Sequence, residues 1–395
     1  MHRIYLDANA TTPLLPEVVE AMRPFWQESF GNPSSSHQSG QRTRAAVERA
    51  RTAVAAMLNA QAKEIVFTSG GTESDNLALA GVLQPYLDRG EPAHLITSAI
   101  EHHAVLYTAQ ALEKRGIEVT YLKPTTDGII DPSEFQAALR AHTRLVSIML
   151  ANNETGAIQP VGKLARITKA HDAATLFHTD AVQGAAKLPL DLSGEFKNVD
   201  LLSLSGHKMY APQGTGVLFV RQGTQLAPLF YGGPHERQRR AGTENVPGIV
   251  ALGRAAELAS EWLGSPQNSA TGEATSLAAL RDRLEAGLIA AIPGTIVNAA
   301  NAPRVANTTN VRFDGINAES LIIALDVKGI SASFGAACQS GATDSSHVLT
   351  GLGLTQAEAR SSIRLSLSRL TTAEEIDRAL EIIVAAVERQ RSLMA

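Results

Sequence analysis

Short apolar runs alternate with longer amphipathic stretches up to about residue 260. Ile65–Thr68, Leu95–Ser98, Val119–Leu122, Leu145–Leu150, Thr175–Thr179, Leu201–Leu204 and Gly216–Val220 have the length and aliphatic content of buried strands. Thr43–Leu58, Glu73–Leu83 and Ala104–Lys114 lie between some of them, with apolar residues at helical spacing. Strands alternating with helices predict an α/β fold with a mostly parallel, helix-covered sheet of seven strands. The segment Gly264–Gly272 is small, polar and free of apolar periodicity, and reads as a linker. Beyond it, Leu277–Ile292 predicts a helix, Thr308–Phe313 a strand and Ala318–Lys328 a helix. Thr372–Gln390 carries Ile376, Leu380, Ile383 and Val387 on one helical face. This carboxy-terminal part is a smaller α+β unit.

Composition narrows the function. Hydrophobic residues make up 44% of the 395 positions and charged residues 19%, enough for a sizeable core. Aromatics at 5% and a net charge of −4 argue against nucleic-acid binding. No stretch reaches the ~18 apolar residues of a membrane span, and Asp7 interrupts the position of a signal peptide's apolar run. A soluble, cytoplasmic chain is expected. The one cysteine, Cys338, excludes an intrachain disulfide and a cysteine-rich metal cage, so no metal centre is expected. It is either a small core residue or a chemical tool.

Three features at strand ends carry chemistry. Ile65–Thr68 runs into Ser69-Gly70-Gly71-Thr72-Glu73-Ser74 before a helix, a turn that suits a phosphate. No Walker lysine follows the glycines, and an ordinary turn capped by Thr72 and Ser74 is the alternative. Asp180 ends the Thr175–Thr179 run, where open α/β sheets bind ligands, though a helix-capping role is equally compatible. Lys208 follows Leu201–Leu204, where an amine nucleophile or a solvated lysine would both fit. Pyridoxal phosphate requires an anion cradle, a carboxylate for its ring nitrogen and a Schiff-base lysine, in sum this set.

The Tyr5–Pro13 stretch, the Phe67–Asn76 turn, Glu101-His102-His103-Ala104-Val105 and Asn152-Asn153-Glu154-Thr155-Gly156 form an ordered pattern with several later motifs. These are Ser205-Gly206-His207-Lys208, His235-Glu236-Arg237 with Ala241-Gly242-Thr243, Gly335-Ala336-Ala337-Cys338 and Ser361–Ser366. The set resembles the cysteine desulfurases of the class V aminotransferase group, fold-type I pyridoxal-phosphate enzymes. The resemblance implies a large cofactor-binding domain over residues 16–262, and a small domain, residues 1–15 and 273–395, carrying Cys338. It implies a Schiff base on Lys208, Asp180 on the ring nitrogen, Gln183 on the phenolic oxygen and His102 on the ring face and in proton transfer. Gly71, Thr72, Ser205 and His207 would bind the phosphate, joined by Thr243 from the partner subunit of a homodimer. Asn153 would contact cofactor and substrate, and with Arg364 it would hold the substrate carboxylate. From local pattern alone, Ile363–Leu367 equally accommodates an outward-facing arginine, and the paired histidines a capping or surface role.

Around Cys338, Ser333–Ser346 is small and polar, which favours an accessible thiol over a core residue. By resemblance the thiolate takes sulfur from L-cysteine, leaving L-alanine and a persulfide that passes to an acceptor or scaffold protein for iron–sulfur, thio-cofactor or tRNA sulfuration. The spacing from Cys338 to His347 matches the family's long-loop branch. Phe334-Gly335-Ala336-Ala337 departs from the usual residues before the cysteine, and the chain stops at Ala395, soon after its last helix. A selenocysteine lyase or another aminotransferase of the same fold is the alternative enzyme. A non-catalytic sulfur carrier would lack Lys208 or Asp180, and both are intact.

Overall fold

The computed structural model describes residues 3–265, 276–334 and 345–394. Its strands are β1 (Ile4–Tyr5), β2 (Ile65–Thr68), β3 (His94–Ser98), β4 (Glu118–Leu122), β5 (Thr143–Ser147) and β6 (Leu176–Asp180). The chain continues with β7 (Leu201–Ser205), β8 (Gly216–Val220), β9 (Thr295–Val297), β10 (Thr308–Phe313), β11 (Ile330–Ser331) and β12 (Ser362–Ser366).

Seven of these form one sheet in the order β2-β8-β7-β6-β5-β3-β4. Only β8 runs against its neighbours, because the short turn after β7 reverses the chain without a crossover helix. Apart from the edge strand β4, the strands are largely buried on both faces, and residue parity assigns each side chain to a layer. Ile65, Phe67, Val217 and Phe219 join Val54 and Leu252 in one core, under helices Gln38–Met57 and Val246–Leu263. Val66, Leu218 and Val220 join Leu77, Leu83, Val105 and Leu112 in another, under helices Gly71–Arg89 and His103–Glu113. A separate antiparallel sheet, β12-β10-β9, packs on helices Leu277–Ala291 and Ala373–Met394 through Val311, Phe313, Ile363, Leu284, Ile383 and Val387.

All seven predicted strands of the large sheet form. The run predicted over Leu145–Leu150 is assigned as strand only to Ser147, yet Ile148 and Leu150 still donate to the carbonyls of His178 and Asp180. The short strands β1, β9 and β11 carry too few residues for a periodicity. Of the predicted linker, Gly264 and Ser265 are described and the rest lies outside the described residues. The amino-terminal segment crosses between the two sheets. β1 pairs with β11, Asp7 bridges to Ser366, and the Thr12 N–H donates to the carbonyl of His207.

Candidate active site

β7 ends at Ser205 and tightens into a 3-10 turn, Gly206–Lys208, that delivers Lys208 to the carboxyl edge of the sheet. Lys208 Nζ donates to the carbonyls of Asn9 (2.5 Å) and Ala10 (2.6 Å). The first crossing segment therefore holds the amine. Helix Gly71–Arg89 starts beside it with Gly70 as N-cap and no side chain bonded to its leading N–H groups. The capping alternative for Thr72 and Ser74 does not hold: Ser74 Oγ instead meets Thr68 Oγ1 at 2.7 Å. An uncapped start leaves backbone donors for an anion. The turn is built without room to spare. A Cβ on Gly216 would lie 2.5 Å from Gly70 Cα, and one on Gly71 2.8 Å from a Val182 methyl.

Asp180 ends β6, the strand next to β7, and is 5% exposed. One carboxylate oxygen accepts the Val182 N–H at 2.9 Å. No helix directly follows β6, so Asp180 is not the helix cap that was the alternative; the bond is a turn contact, and the residue lines the cavity. Burial pushes the carboxyl up to about 6, against the opposing pull of the Val182 N–H and the Lys208 charge. Behind it, burial first and then Asp180 raise Asp75 well above the carboxylate range. Asp75 Oδ1 is buried with no hydrogen-bond partner. Two carboxyls buried together favour a cation beside them.

His102 caps helix His103–Glu113, its Nδ1 accepting the Ala104 N–H at 3.2 Å, and also faces the cavity. The capping alternative holds, and the same side chain lines the cavity. Burial, then the Lys208 charge, lowers the imidazole to about 4, so the ring is neutral with its proton on Nε2. His207 is likewise lowered to about 4 by burial and Lys208.

Arg364 is not an outward residue. All of Ser362–Ser366 is buried, and Arg364 is 2% exposed, its guanidinium donating to the Asn153 carbonyl (3.0 Å) and to Asp7 Oδ1 (2.7 Å). Asn153 Oδ1 beside it is buried without a partner. Cys338 lies outside the described residues. The chain that carries it leaves and returns at this end of the cavity: Ser333 pairs with Arg364 through the backbone, and Ser346 Oγ donates to Glu154 Oε2 at 2.6 Å.

One cavity of about 410 Å³ collects Gly71, Thr72, His102, Asn153, Asp180, Gln183, Ser205, His207, Lys208 and Arg364. Its volume falls in the range of small-ligand sites. Thr243 is exposed and does not line it. Asn9, Asp75, Glu154 and His347 also line the cavity and escaped sequence reasoning. The signal for Asp75 was available, an acid one turn into the helix that the phosphate turn begins; Asn9 and Glu154 stand inside the Tyr5–Pro13 and Asn152–Gly156 motifs and His347 at the end of the loop spacing, where their local chemistry does not single them out as cavity residues. The set fits pyridoxal phosphate. A helix start without a side-chain cap at Gly71 and Thr72, two buried carboxyls, Asp180 and Asp75, and the primary amine of Lys208 all line the one cavity.

Comparison with known proteins agrees with this geometry. The aminotransferase class-V family model matches residues 4–379. A cysteine desulfurase IscS of Methanosarcina thermophila is 47% identical over 99% of this chain and 93% of its own length. Cysteine desulfurase 2 of Trichormus variabilis is 47% identical over 100% of this chain and 95% of its own. Among solved structures, a NifS-like protein aligns with a TM-score of 0.90 at 36% identity, covering 98% of this chain and all of that one. The structure of SspA in complex with cysteine aligns with a TM-score of 0.79 at 37% identity, over 92% of this chain and 98% of that one. With a cavity that unites ten of the residues its motifs single out, and relatives matched end to end, the chain belongs to the class V aminotransferase family, among its cysteine desulfurases.

Proposed function

We propose that this protein is a pyridoxal-phosphate-dependent cysteine desulfurase that converts L-cysteine to L-alanine and passes the sulfur, through a persulfide on Cys338, to an acceptor protein. The observation that carries this is Lys208 and Asp180 at the ends of adjacent strands, around one cavity, in a chain 47% identical to cysteine desulfurases over nearly all its length.

The helix start at Gly71 and Thr72, with Ser205 and His207, would hold the cofactor phosphate, and Asp180 the ring nitrogen. The bound cofactor supplies an electron sink for the substrate α-carbon. Lys208 Nζ would bind the cofactor and would carry the substrate α-proton. His102, neutral and with Nε2–H, would cover the ring face and take part in proton transfer. Arg364 and Asn153 hold the substrate carboxylate. The Cys338 thiolate attacks the substrate sulfur; the new S–S bond forms as the carbon–sulfur bond breaks, its electron pair going to the carbon that becomes the alanine methyl. Thr243, exposed in its own subunit, would complete the phosphate site of a partner in a homodimer. Residues 16–262 would make the cofactor domain, and 1–15 with 273–395 the small domain. No described helix is long and apolar enough to cross a membrane, which supports a cytoplasmic enzyme.

The test compares L-alanine and sulfide released from L-cysteine by the wild type and by Cys338→Ser. The variant should stay yellow and lose sulfide release, and Lys208→Ala should lose the borohydride-reducible link. A colourless wild type, or full desulfurase activity in Cys338→Ser, would overturn the reading.

A further inference from the structure

After β6 the chain reads Gln183-Gly184-Ala185-Ala186-Lys187, and its geometry is unusual. Ala186 adopts a left-handed backbone, φ 57°, a conformation an alanine resists. Strain of this kind persists where surrounding contacts enforce it. Here it accompanies a lysine turned inward: Lys187 Nζ donates to Gln183 Oε1 at 2.5 Å and to Asn9 Oδ1 at 3.0 Å. Part of the side chain is exposed, but the amine end is withdrawn from water. Burial, then the charges of Lys208 and Arg364, lowers it well below the ordinary lysine range. A surface lysine would gain nothing from this position.

A glutamine side chain can present either its carbonyl or its NH₂ to a ligand. Lys187 Nζ donates to Gln183 Oε1 while Nε2 faces the Asn9 carbonyl, which can only accept, so Gln183 is held with Oε1 toward Lys187 and Nε2 away. Nε2 donates one hydrogen to the Asn9 carbonyl at 3.1 Å, the same carbonyl that receives Lys208 Nζ. Gln183 lines the cavity, so its orientation sets what the ring edge next to Lys208 meets. We propose that Lys187 is a positioning residue, which acts through Gln183 to keep an N–H donor aimed at the phenolic oxygen of the bound cofactor. This rests on the function proposed above.

The consequence is spectroscopic. An N–H donor stabilises the phenolate, and therefore the deprotonated form of the lysine-bound chromophore. Losing the donor raises the pH at which the visible absorption of the holoenzyme changes. The other ionisable groups lining this cavity are Asp180 on β6, Lys208 after β7, Arg364 on β12, His102, His103 and Asp75 on their helices, and Glu154, His207 and His347. All are retained in the test. In Lys187→Met the transition should move up by about one pH unit, the scale of one hydrogen bond. Lys187→Gln keeps a donor and should move it less; it also provides the reading if the methionine variant does not fold. Because Lys187 acts through Gln183, the double variant Lys187→Met/Gln183→Met should shift no further than Gln183→Met alone. A wild type without a visible chromophore defeats the proposed function. A wild type that titrates, with Lys187 variants unshifted or fully additive with Gln183→Met, defeats this inference alone.

Discussion

Arg364 offers the sharpest test of the substrate end. Truncating it to alanine removes a guanidinium that is 2% exposed and bonded to Asp7 Oδ1 at 2.7 Å and to the Asn153 carbonyl at 3.0 Å. Two effects follow, and they separate. The first is structural: a partly buried Asp7, its side chain 19% exposed, loses its counter-charge, costing about 1–3 kcal/mol of stability. The second concerns substrate, where one charge-assisted bond to a carboxylate contributes about 1.5–3 kcal/mol. At about 1.4 kcal/mol per tenfold, that corresponds to roughly 10- to 150-fold in kcat/KM. Cysteamine is cysteine without its carboxylate and isolates the second effect. The ratio of kcat/KM for L-cysteine to that for cysteamine should fall by that factor in Arg364→Ala. Arg364→Lys keeps a charge for Asp7, so its melting temperature should drop less while the ratio still falls, since lysine lacks the planar fork. A ratio unchanged from the wild type, with both thiols slowed equally, would refute carboxylate binding and leave Arg364 a purely structural residue.

Three other variants probe the rest of the site. Gly216→Ala would drive a Cβ to 2.5 Å from the Gly70 backbone; we expect a loss of about 1–3 kcal/mol in urea unfolding and weaker cofactor retention, and an unaffected protein would contradict the close-approach argument. Asp180→Asn keeps an acceptor for the Val182 N–H but no charge for the ring nitrogen, so cofactor Kd should rise roughly 10- to 100-fold by equilibrium dialysis, and equal affinity would count against the pairing. Burial raises Glu101 to about 8, against an unfolded value near 4.3, so the folded state holds a proton that the unfolded chain releases. Its contribution to stability is full below about pH 4 and is lost as pH rises through 8; Glu101→Gln should flatten the fall in urea midpoint between pH 5 and 9, and an unchanged slope would show that Glu101 ionises freely in the fold.

Much of this architecture is legible in residue order because buried strands announce themselves as aliphatic runs. Val217 to Val220 alternates between two cores, so nothing in its pattern distinguishes a parallel from an antiparallel neighbour. The reversal at β8 follows from the length of the preceding turn instead. At Arg364 the alternation of Ile363–Leu367 leaves the arginine's direction open, since an outward face and a lined cavity produce the same pattern; only the fold shows that β12 has no solvent face there. Asn9 is the clearest omission. It bonds Asn153, Lys187, Asn307 and Thr308 and offers its carbonyl to Gln183 and Lys208, a hub whose partners lie 144 or more positions away. Short polar segments become informative only once distant chain is brought against them.

The crossing of the amino-terminal segment has a consequence for how the protein is made. Asp7 meets Arg364, and the Asn9 N–H donates to Ser366 Oγ, each across 357 positions of sequence. The phosphate turn, Asp180 and Lys208 all fall within the sheet that ends at Val220, and can assemble while translation continues. The support for the lysine and the substrate arginine cannot, because one half leaves the ribosome near the beginning and the other near the end. Contacts of such high order close late. A nascent chain of this protein can thus shape a cradle for phosphate, but it becomes able to handle an amino acid only after its last strand has returned to its first.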